Sequence, residues 1–307
     1  MNKVRIADIG LVEAAKRLVP MTVLAGRVAC DIQDALLAGR VKNMLSKDDE
    51  EGYNKQALTD ADLVCSNLVG SAALTQFADL SYVSEEAKAD NVSKYFPSRT
   101  PFTMVFDPIN GTSYLKDGKK CFENIYTLCD ADGGKVLNTK RAIVINLPRY
   151  DKVFVGDDRA VWMADTSKVG FDGTADLDLR PYHIQLGAKS GVYVSVSLKD
   201  RLADIQAAGL NARVAHHVYK EYGINDPDWG FVPAGILDGR VEAFAIAGID
   251  LMDSLAVAYL AQGAGAHVLI EGYHPETHIA DLCIAAIDKG QFDTLCQVLA
   301  PLRRNPT

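Results

Sequence analysis

The 307-residue chain lacks long apolar runs. No segment approaches the roughly 20 consecutive apolar residues that a membrane-spanning helix requires, so we expect no membrane partner. The first twenty residues are interrupted by charge too often to form the apolar region of a signal peptide. These two features predict a protein that stays in the compartment where it is made.

Closely spaced cysteines are also lacking. The six cysteines form no CxxC pair and no short spacing of the metal-binding type. All but Cys121 have apolar neighbours in the sequence, which predicts small buried side chains in a reducing compartment. We therefore expect a cytoplasmic location.

Basic charge is in deficit, because 32 Lys and Arg residues stand against 40 Asp and Glu residues, a formal net charge of −8. A surface of this charge repels nucleic acid and anionic membranes, so we expect neither as a partner. An acidic protein that handles a phosphorylated small molecule would need local compensation, for instance by bound metal cations. The content of 48% apolar and 23% charged residues is typical of a globular protein with a sizeable core.

The spacing of apolar residues predicts two leading helices, one over residues 11–40 and one from Thr59 to about Phe77. Pro20 should kink or divide the first of them, because proline lacks the N–H that a helix interior needs. The polar stretch between the two helices, residues 41–54, predicts a loop.

Short segments rich in β-branched and aromatic residues follow between residues 103 and 165, which predicts a largely antiparallel sheet packed on the leading helices. From residue 186 strands and helices alternate. We therefore predict an α/β (α+β) fold in two halves, residues 1–185 and residues 186–307, with 166–185 as the linking segment.

The stretch VFDPINGTS, residues 105–113, carries the first candidate site. By itself it predicts an ordinary turn, because Asn-Gly after a strand and a proline is a strong turn signal. Other acidic residues could converge on it. Glu85 and Glu86 follow an apolar LSYV segment, and Asp253 stands at the beginning of an apolar helix, where its simplest role is a helix cap.

In order and spacing, these motifs resemble those of the inositol monophosphatase and fructose-1,6-bisphosphatase superfamily, the lithium-sensitive, metal-dependent phosphatases. That family has Thr-x-x-Asp at a helix start, then Glu-Glu, then Asp-Pro-Ile/Leu-Asp-Gly-Thr/Ser, then Trp-Asp-x-x-Ala with Ala-Gly-Gly eleven residues beyond its Asp. The corresponding segments here are Thr59–Asp62, Glu85–Glu86, Asp107–Thr112, and Met252–Ala256 with Ala264–Ala266. The likeness covers residues 55–300 and implies a layered α-β-α-β-α sandwich that forms a homodimer.

The resemblance implies a phosphomonoesterase in which two or three Mg²⁺ ions activate a water for attack on a small phosphorylated substrate. Glu85, Asp107 and the backbone carbonyl of Ile109 would hold the first ion. Asp107 would bridge to a second ion, which position 110 and Asp253 complete.

The same resemblance assigns the catalytic residues Thr112, Asp62 and Glu85. Thr112, hydrogen-bonded to Asp62, would orient and deprotonate the attacking water. The backbone amides of Gly111 and Thr112 would bind the phosphate at the start of a short helix, where a side chain on Gly111 would crowd the approaching oxyanion.

The main departure from the family is Asn110, which stands where the family has Asp. Its amide oxygen can still bind a metal, but it carries no charge. Three carboxylates would then face two Mg²⁺ ions where the family has four, so we expect a weakened second metal and slow turnover, both improved by Asn110→Asp. Three explanations stay open: an introduced inactivating substitution, a natural variant with altered chemistry, and an inactive relative that binds a phosphorylated ligand or a protein partner.

The substrate is not assigned by these motifs. Where the family has Gly-Ser-x-Ala, this chain has a segment from Arg213 to His217, and the region 186–230 shapes the substrate pocket in relatives. Sugar, cyclitol and nucleotide phosphates all stay open. Lys116, Lys119 and Lys120 are either exposed hairpin residues or contacts for a second anionic group.

Overall fold

The structure is a computed structural model, and it describes residues 3–40, 60–88, 90–132, 135–169, 177–185, 191–214, 233–250, 253–274 and 279–302. The chain divides into two units, residues 1–155 with 163–180 and residues 156–162 with 181–307. The division into halves at residue 185 stays a prediction.

The described helices of the first unit are α1 (Ile6–Ile9), α2 (Leu11–Leu37), α3 (Asp60–Gln76) and α4 (Thr112–Lys116). Both long helices that the periodicity predicts are confirmed. Pro20 lies inside α2 and does not divide it. Buried side chains on either side of the proline, such as Leu18 and Val23, keep the helix against the core, which offsets the missing hydrogen bond. The predicted loop 41–54 and Thr59 lie outside the described residues.

Seven strands form one sheet in the order β1 (Leu80–Ser84), β2 (Phe102–Asn110), β3 (Glu123–Asp132), β4 (Lys135–Leu147), β5 (Lys152–Gly156), β6 (Val161–Asp165) and β7 (Arg180–Tyr182). The antiparallel arrangement predicted from the sequence is confirmed for β2 to β4. The sheet is nevertheless mixed, because β1, which the sequence analysis did not identify as a strand, runs parallel to β2. Strand β7 lies within the predicted linking segment.

The predicted packing of this sheet on the leading helices is confirmed, since α2 packs against β4 and α3 against β2. Tyr126 of β3 illustrates why the sequence folds this way. Its ring is fully buried beside Phe106, and its hydroxyl donates a hydrogen bond to the carbonyl of Ala15 in α2 at 2.8 Å. An apolar ring with a satisfied polar tip therefore joins helix and sheet.

The DPIN segment belongs to β2, so the turn predicted for VFDPINGTS begins only at Gly111. Asp107 is opposite Ile125, whereas Asn110 is opposite Glu123, and the register shifts between them. Three steps along β2 thus correspond to two along β3, which is a β-bulge. Proline is tolerated at a bulge because its missing N–H removes no regular ladder bond there. The chain leaves the strand only at Gly111.

The second unit contains a five-stranded mixed sheet of β8 (Val192–Val194), β9 (Ala212–Val214), β10 (Ala243–Asp250), β11 (His267–Glu271) and β12 (Ile279–Ala286), in the order β11-β12-β10-β8-β9. Its described helices are α5 (Leu202–Ala207), α6 (Ser254–Gly263) and α7 (Lys289–Val298). Within the alternating pattern, the sequence predicts helices over residues 199–208 and 214–222. The first is shorter than predicted, because a 3-10 turn occupies its first residues. Most of the second lies outside the described residues.

The two sheets are both mixed and both packed with helices, which confirms the predicted α/β (α+β) class. No helix in the described ranges is both long enough and apolar enough to cross a bilayer.

All six cysteines are free thiols. Cys121 is buried, although its sequence neighbours did not predict this, because it precedes the buried Phe122 at the entry to β3. Cys30 and Cys296 are only partly buried. Cys129 lies in the core at 1% exposure, and this burial raises the pKa of its thiol to about 12.

Candidate active site

The first two predicted ligands lie close together where the pairing of the parallel strands β1 and β2 ends. Ser84 of β1 is opposite Phe106 of β2, and the N–H of Glu85 donates to the Phe106 carbonyl at 3.1 Å. The next residues along the two strands are therefore Glu85 and Asp107. Asp107 is only 5% exposed, while Glu85 is half-buried. The structure thus places the two predicted carboxylate ligands beside each other, where the pairing of β1 with β2 ends.

Asp107 is held in place by its own backbone. The N–H of Ile109 donates to Asp107 Oδ1 at 3.0 Å across the bulge. This bond fixes the orientation of the carboxylate without neutralising it.

A buried pair of asparagines supports the bulge from the side of α2. Asn124 Nδ2 donates to the carbonyl of Pro108 at 2.5 Å, and Asn146 Nδ2 donates to Asn124 Oδ1 at 2.8 Å. This pair was not among the predicted site residues. The available signal was two asparagines within otherwise apolar strands, because such a polar side chain must find partners when it is buried.

Gly26 of α2 is required by this asparagine pair. A Cβ atom on Gly26 would lie 2.2 Å from Asn146 Nδ2 and 2.7 Å from Asn124 Oδ1. Gly26→Ala is therefore expected to displace the pair and lower the free energy of unfolding by about 2 kcal/mol, despite the better helix propensity of alanine. Urea denaturation measures this loss. The loss should shrink when Asn146 is also replaced by Ala, and an equal loss in both backgrounds would contradict this explanation.

Thr112 and Asp62 are brought together although 50 residues separate them. Thr112 Oγ1 lies 3.0 Å from Asp62 Oδ1 and 2.8 Å from the carbonyl oxygen of Ile109. Asp62, in the first turn of α3, is only 2% exposed. A hydroxyl has one proton to donate, so Thr112 can serve only one of these two acceptors at a time. The contact that the family resemblance implies is present, and the catalytic role of the pair stays a prediction.

Gly111 is required by the backbone itself. Its φ angle is 88°, in the left-handed region that L side chains rarely adopt. A Cβ atom there would also lie 3.1 Å from the carbonyl oxygen of Cys121 and 3.1 Å from the ring of Tyr114. The structure therefore gives a conformational reason for this glycine beside the predicted one, crowding of an oxyanion. Helix α4, which follows it, has only five residues.

Asn110 has a partner that the sequence analysis did not anticipate. Its Nδ2 donates to Glu123 Oε1 at 3.1 Å across the β2–β3 ladder. Glu123 is fully buried at the beginning of β3. The sequence signal was a glutamate within the mostly apolar segment CFENIY, because a buried carboxylate needs a partner. The partner, Asn110, could not be identified without the strand register.

Asp253 belongs to the second unit, at the position before the first residue of α6. Its side chain accepts a hydrogen bond from Ser254 Oγ at 2.7 Å. The predicted position of Asp253 at the N-terminus of this helix is confirmed, but among the described residues its side chain makes no capping bond to the helix backbone. Its role as a metal ligand stays a prediction, and Met252 lies outside the described residues.

Lys119 is buried, at 6% exposure, so it is not an exposed hairpin residue. The reason is that its loop is tied to α2. Gln33 Nε2 lies within hydrogen-bond distance of the carbonyls of Leu115 and Lys119, at 3.0 and 2.8 Å. The segment around His216 and His217 lies outside the described residues.

The oxygen atoms around the bulge are chemically suited to Mg²⁺, which prefers carboxylate and carbonyl ligands. Glu85 and Asp107 provide carboxylates, Ile109 a backbone carbonyl, and Asn110 an amide oxygen. Within the described ranges, no group of three or more His, Cys, Asp or Glu side chains is arranged to hold a metal ion. The predicted carboxylates Glu85, Asp107 and Asp253, which all lie within those ranges, do not appear as such a group, so the metal site stays a prediction. The donor atoms themselves are of the type that a hard cation prefers.

Several solved structures are similar to this chain. The extragenic suppressor protein suhB from Bartonella henselae matches with a TM-score of 0.60 and 14% identity, over 92% of this chain and 97% of that chain. CysQ from Bacteroides thetaiotaomicron, a bacterial member of the inositol monophosphatase family, matches with a TM-score of 0.58 and 15% identity, over 92% and 100%. Fructose-1,6-bisphosphatase of Leishmania major matches with a TM-score of 0.57 and 12% identity, over 98% and 100%.

No family model and no curated protein matches the sequence. At identities of 12–15% the structural likeness shows the fold alone. The similar chains are covered almost completely, so the likeness includes both units. The chain therefore has the fold of the inositol monophosphatase and fructose-1,6-bisphosphatase superfamily, as its motifs predict.

Proposed function

We propose that the chain is a Mg²⁺-dependent phosphomonoesterase that acts on a small polar phosphate, such as a sugar, cyclitol or nucleotide phosphate. The observation that carries this proposal is the hydrogen bond of Thr112 to the buried Asp62, next to the bulge that presents Asp107. Phosphatase chemistry needs such a proton acceptor near the acidic metal ligands. The similarity of the fold to a fructose-1,6-bisphosphatase and to a member of the inositol monophosphatase family also supports the proposal.

Thr112 and Asp62 form a short proton path. When Thr112 donates its hydroxyl proton to Asp62, the lone pairs of Oγ1 are turned away from the carboxylate and can accept a proton from a water. Asp62 is almost fully buried, so its charge is little screened and the hydroxyl is held firmly. The pair would therefore orient the attacking water and take up its proton.

Magnesium, when bound, would lower the pKa of the attacking water and provide a positive charge beside the leaving oxygen. Glu85, Asp107 and the carbonyl of Ile109 are the proposed ligands of the first ion. Asn110 and Asp253 are proposed for the second. The Asp107 carboxylate is already oriented by the N–H of Ile109, so its binding would need little rearrangement.

The phosphate itself is proposed to bind the amides of Gly111 and Thr112, where the left-handed Gly111 lies between the end of β2 and the beginning of α4. Because α4 is little more than one turn, the helix dipole would add little, and the individual N–H groups would carry the interaction. A homodimer and inhibition by Li⁺ are further expectations of the resemblance.

The second candidate is a catalytically inactive relative that binds a phosphorylated ligand or a protein partner. Asn110 favours it, since an uncharged amide stands where the family has a carboxylate. In the first candidate the same residue predicts slow turnover and weak binding of the second ion.

A phosphate-release screen separates the two candidates. The protein is incubated with sugar, cyclitol and nucleotide phosphates at several Mg²⁺ concentrations, and again with a chelator. We expect release from at least one substrate, dependent on Mg²⁺ and inhibited by Li⁺. If no phosphate is released while Mg²⁺ and phosphate together raise the melting temperature, the phosphatase proposal is wrong and the binding protein is favoured.

A further inference from the structure

The bulge in β2 gives Asn110 a buried acidic neighbour. Asn110 is directly opposite Glu123 in the ladder, and its Nδ2 lies 3.1 Å from Glu123 Oε1. Glu123 is 0% exposed. A carboxylate that is removed from water so completely is strongly destabilising unless it is paired, so its bond to the Asn110 amide belongs to the folded structure and is not an incidental surface contact.

This bond decides which way the Asn110 amide faces. A carboxylate has only acceptor atoms, so it selects the NH₂ end of the amide and rejects the carbonyl end. The carbonyl oxygen of Asn110 is then held on the side of the amide away from Glu123. Only that oxygen can bind a cation, because an amide NH₂ cannot serve as a ligand.

The pair also changes the charge of this part of the chain. An aspartate at position 110 would bring two carboxylates together where the structure has an amide and a carboxylate 3.1 Å apart. Two like charges at this distance repel strongly in a buried setting. Asn110 and Glu123 therefore form a matched pair. The family pattern has its negative charge at position 110 in β2, whereas this chain has a negative charge on Glu123 in the adjacent strand β3.

We propose that Glu123 is a positioning residue for Asn110: its carboxylate orients the amide so that Oδ1 faces the cation, and it supplies the negative charge that Asn110 lacks. This inference depends on the proposed function for the identity of the cation, Mg²⁺. It also changes the expectation for Asn110→Asp. As a single substitution, it should lower the stability of the metal-free protein, and its effect should not be limited to better metal binding and faster turnover.

Binding of Mn²⁺, a spectroscopic probe of Mg²⁺ sites, tests the inference without turnover. The full chain is stripped of metal, and Mn²⁺ affinity is measured by electron paramagnetic resonance for the wild type, Glu123→Gln, Asn110→Asp and the double variant. We expect Glu123→Gln to bind about tenfold more weakly, the effect of losing one hydrogen bond to a charged group. The double variant exchanges amide and carboxylate between the two strands, so it should bind at least as tightly as the wild type.

The metal-free melting temperature gives a second readout. Asn110→Asp should melt below the wild type because of carboxylate repulsion, and adding Glu123→Gln to it should restore the melting temperature. Glu123→Asp keeps the charge but shortens the side chain, so its Mn²⁺ affinity should lie between those of the wild type and Glu123→Gln.

Glu242→Gln is the matched control, because Glu242 also accepts a hydrogen bond from a side-chain amide, that of Gln291 at 2.6 Å, in the second unit. It should leave Mn²⁺ affinity unchanged.

Wild-type affinity in Glu123→Gln, no recovery in the double variant, or no Mn²⁺ binding by the wild type would each overturn the inference. The phosphatase proposal fails separately, if Mn²⁺ binding follows the expected order but no substrate is hydrolysed.

Discussion

Asp107→Asn is expected to abolish Mg²⁺-dependent phosphate release, lowering kcat/KM by about 10³-fold or more. Asp107 is the residue proposed to contact both cations, so one substitution removes a charge from two sites. Asparagine has the same shape as aspartate, and its carbonyl oxygen can still accept the N–H of Ile109 that now binds Asp107 Oδ1. The fold around the bulge should therefore survive.

Three measurements check this expectation. Steady-state kinetics at rising Mg²⁺ should show a loss that extra metal only partly recovers. Mn²⁺ titration should show weakened binding, while the far-ultraviolet circular dichroism spectrum stays that of the wild type. Asp130→Asn is a suitable control, because Asp130 lies in the same sheet at the other end of the β2–β3 ladder, opposite Phe102. Unchanged kinetics in Asp107→Asn would remove the proposed metal site from this part of the chain.

Asp62→Asn is expected to lower kcat by about 10²–10³-fold with little change in KM or in Mn²⁺ affinity. Asp62 is proposed to accept a proton through Thr112 and not to bind metal or substrate. An amide in its place can still accept the hydroxyl hydrogen bond, but it cannot take up the proton. The loss should therefore fall on the chemical step, whereas Asp107→Asn affects metal binding as well.

Thr112 provides an independent test of the same pair. Thr112→Val should match the loss of Asp62→Asn, Thr112→Ser should retain most activity, and the double variant Asp62→Asn/Thr112→Val should be little worse than either single variant. Asp60→Asn is the control, because Asp60 is an exposed carboxylate in the same helical turn. Additive losses in the double variant would show that Asp62 and Thr112 do not act as a unit.

The sequence predicts helices α2 and α3 and the antiparallel strands β2 to β4, because the periodicity or composition of these segments is strong. It also predicts that Asp62 and Thr112 meet, but only through the resemblance, since nothing local relates residues 50 positions apart. The strand conformation of residues 107–110 is not predicted, because Asn-Gly and proline are turn signals whether the chain turns or bulges. Glu123 could not be connected to Asn110 for the same reason.

The bulge at Pro108 also determines which residue is the neighbour of Asn110. Across the regular part of the ladder the paired residue numbers have a constant sum, as in Phe106 with Tyr126 and Asp107 with Ile125. Continued without the extra residue, that register would place Phe122 opposite Asn110. A single inserted or deleted residue in one strand can thus exchange an aromatic ring for a carboxylate beside a site residue, while every side chain involved keeps its identity. Comparisons that align such chains residue by residue would record the Asp-to-Asn change and overlook the change of neighbour that accompanies it.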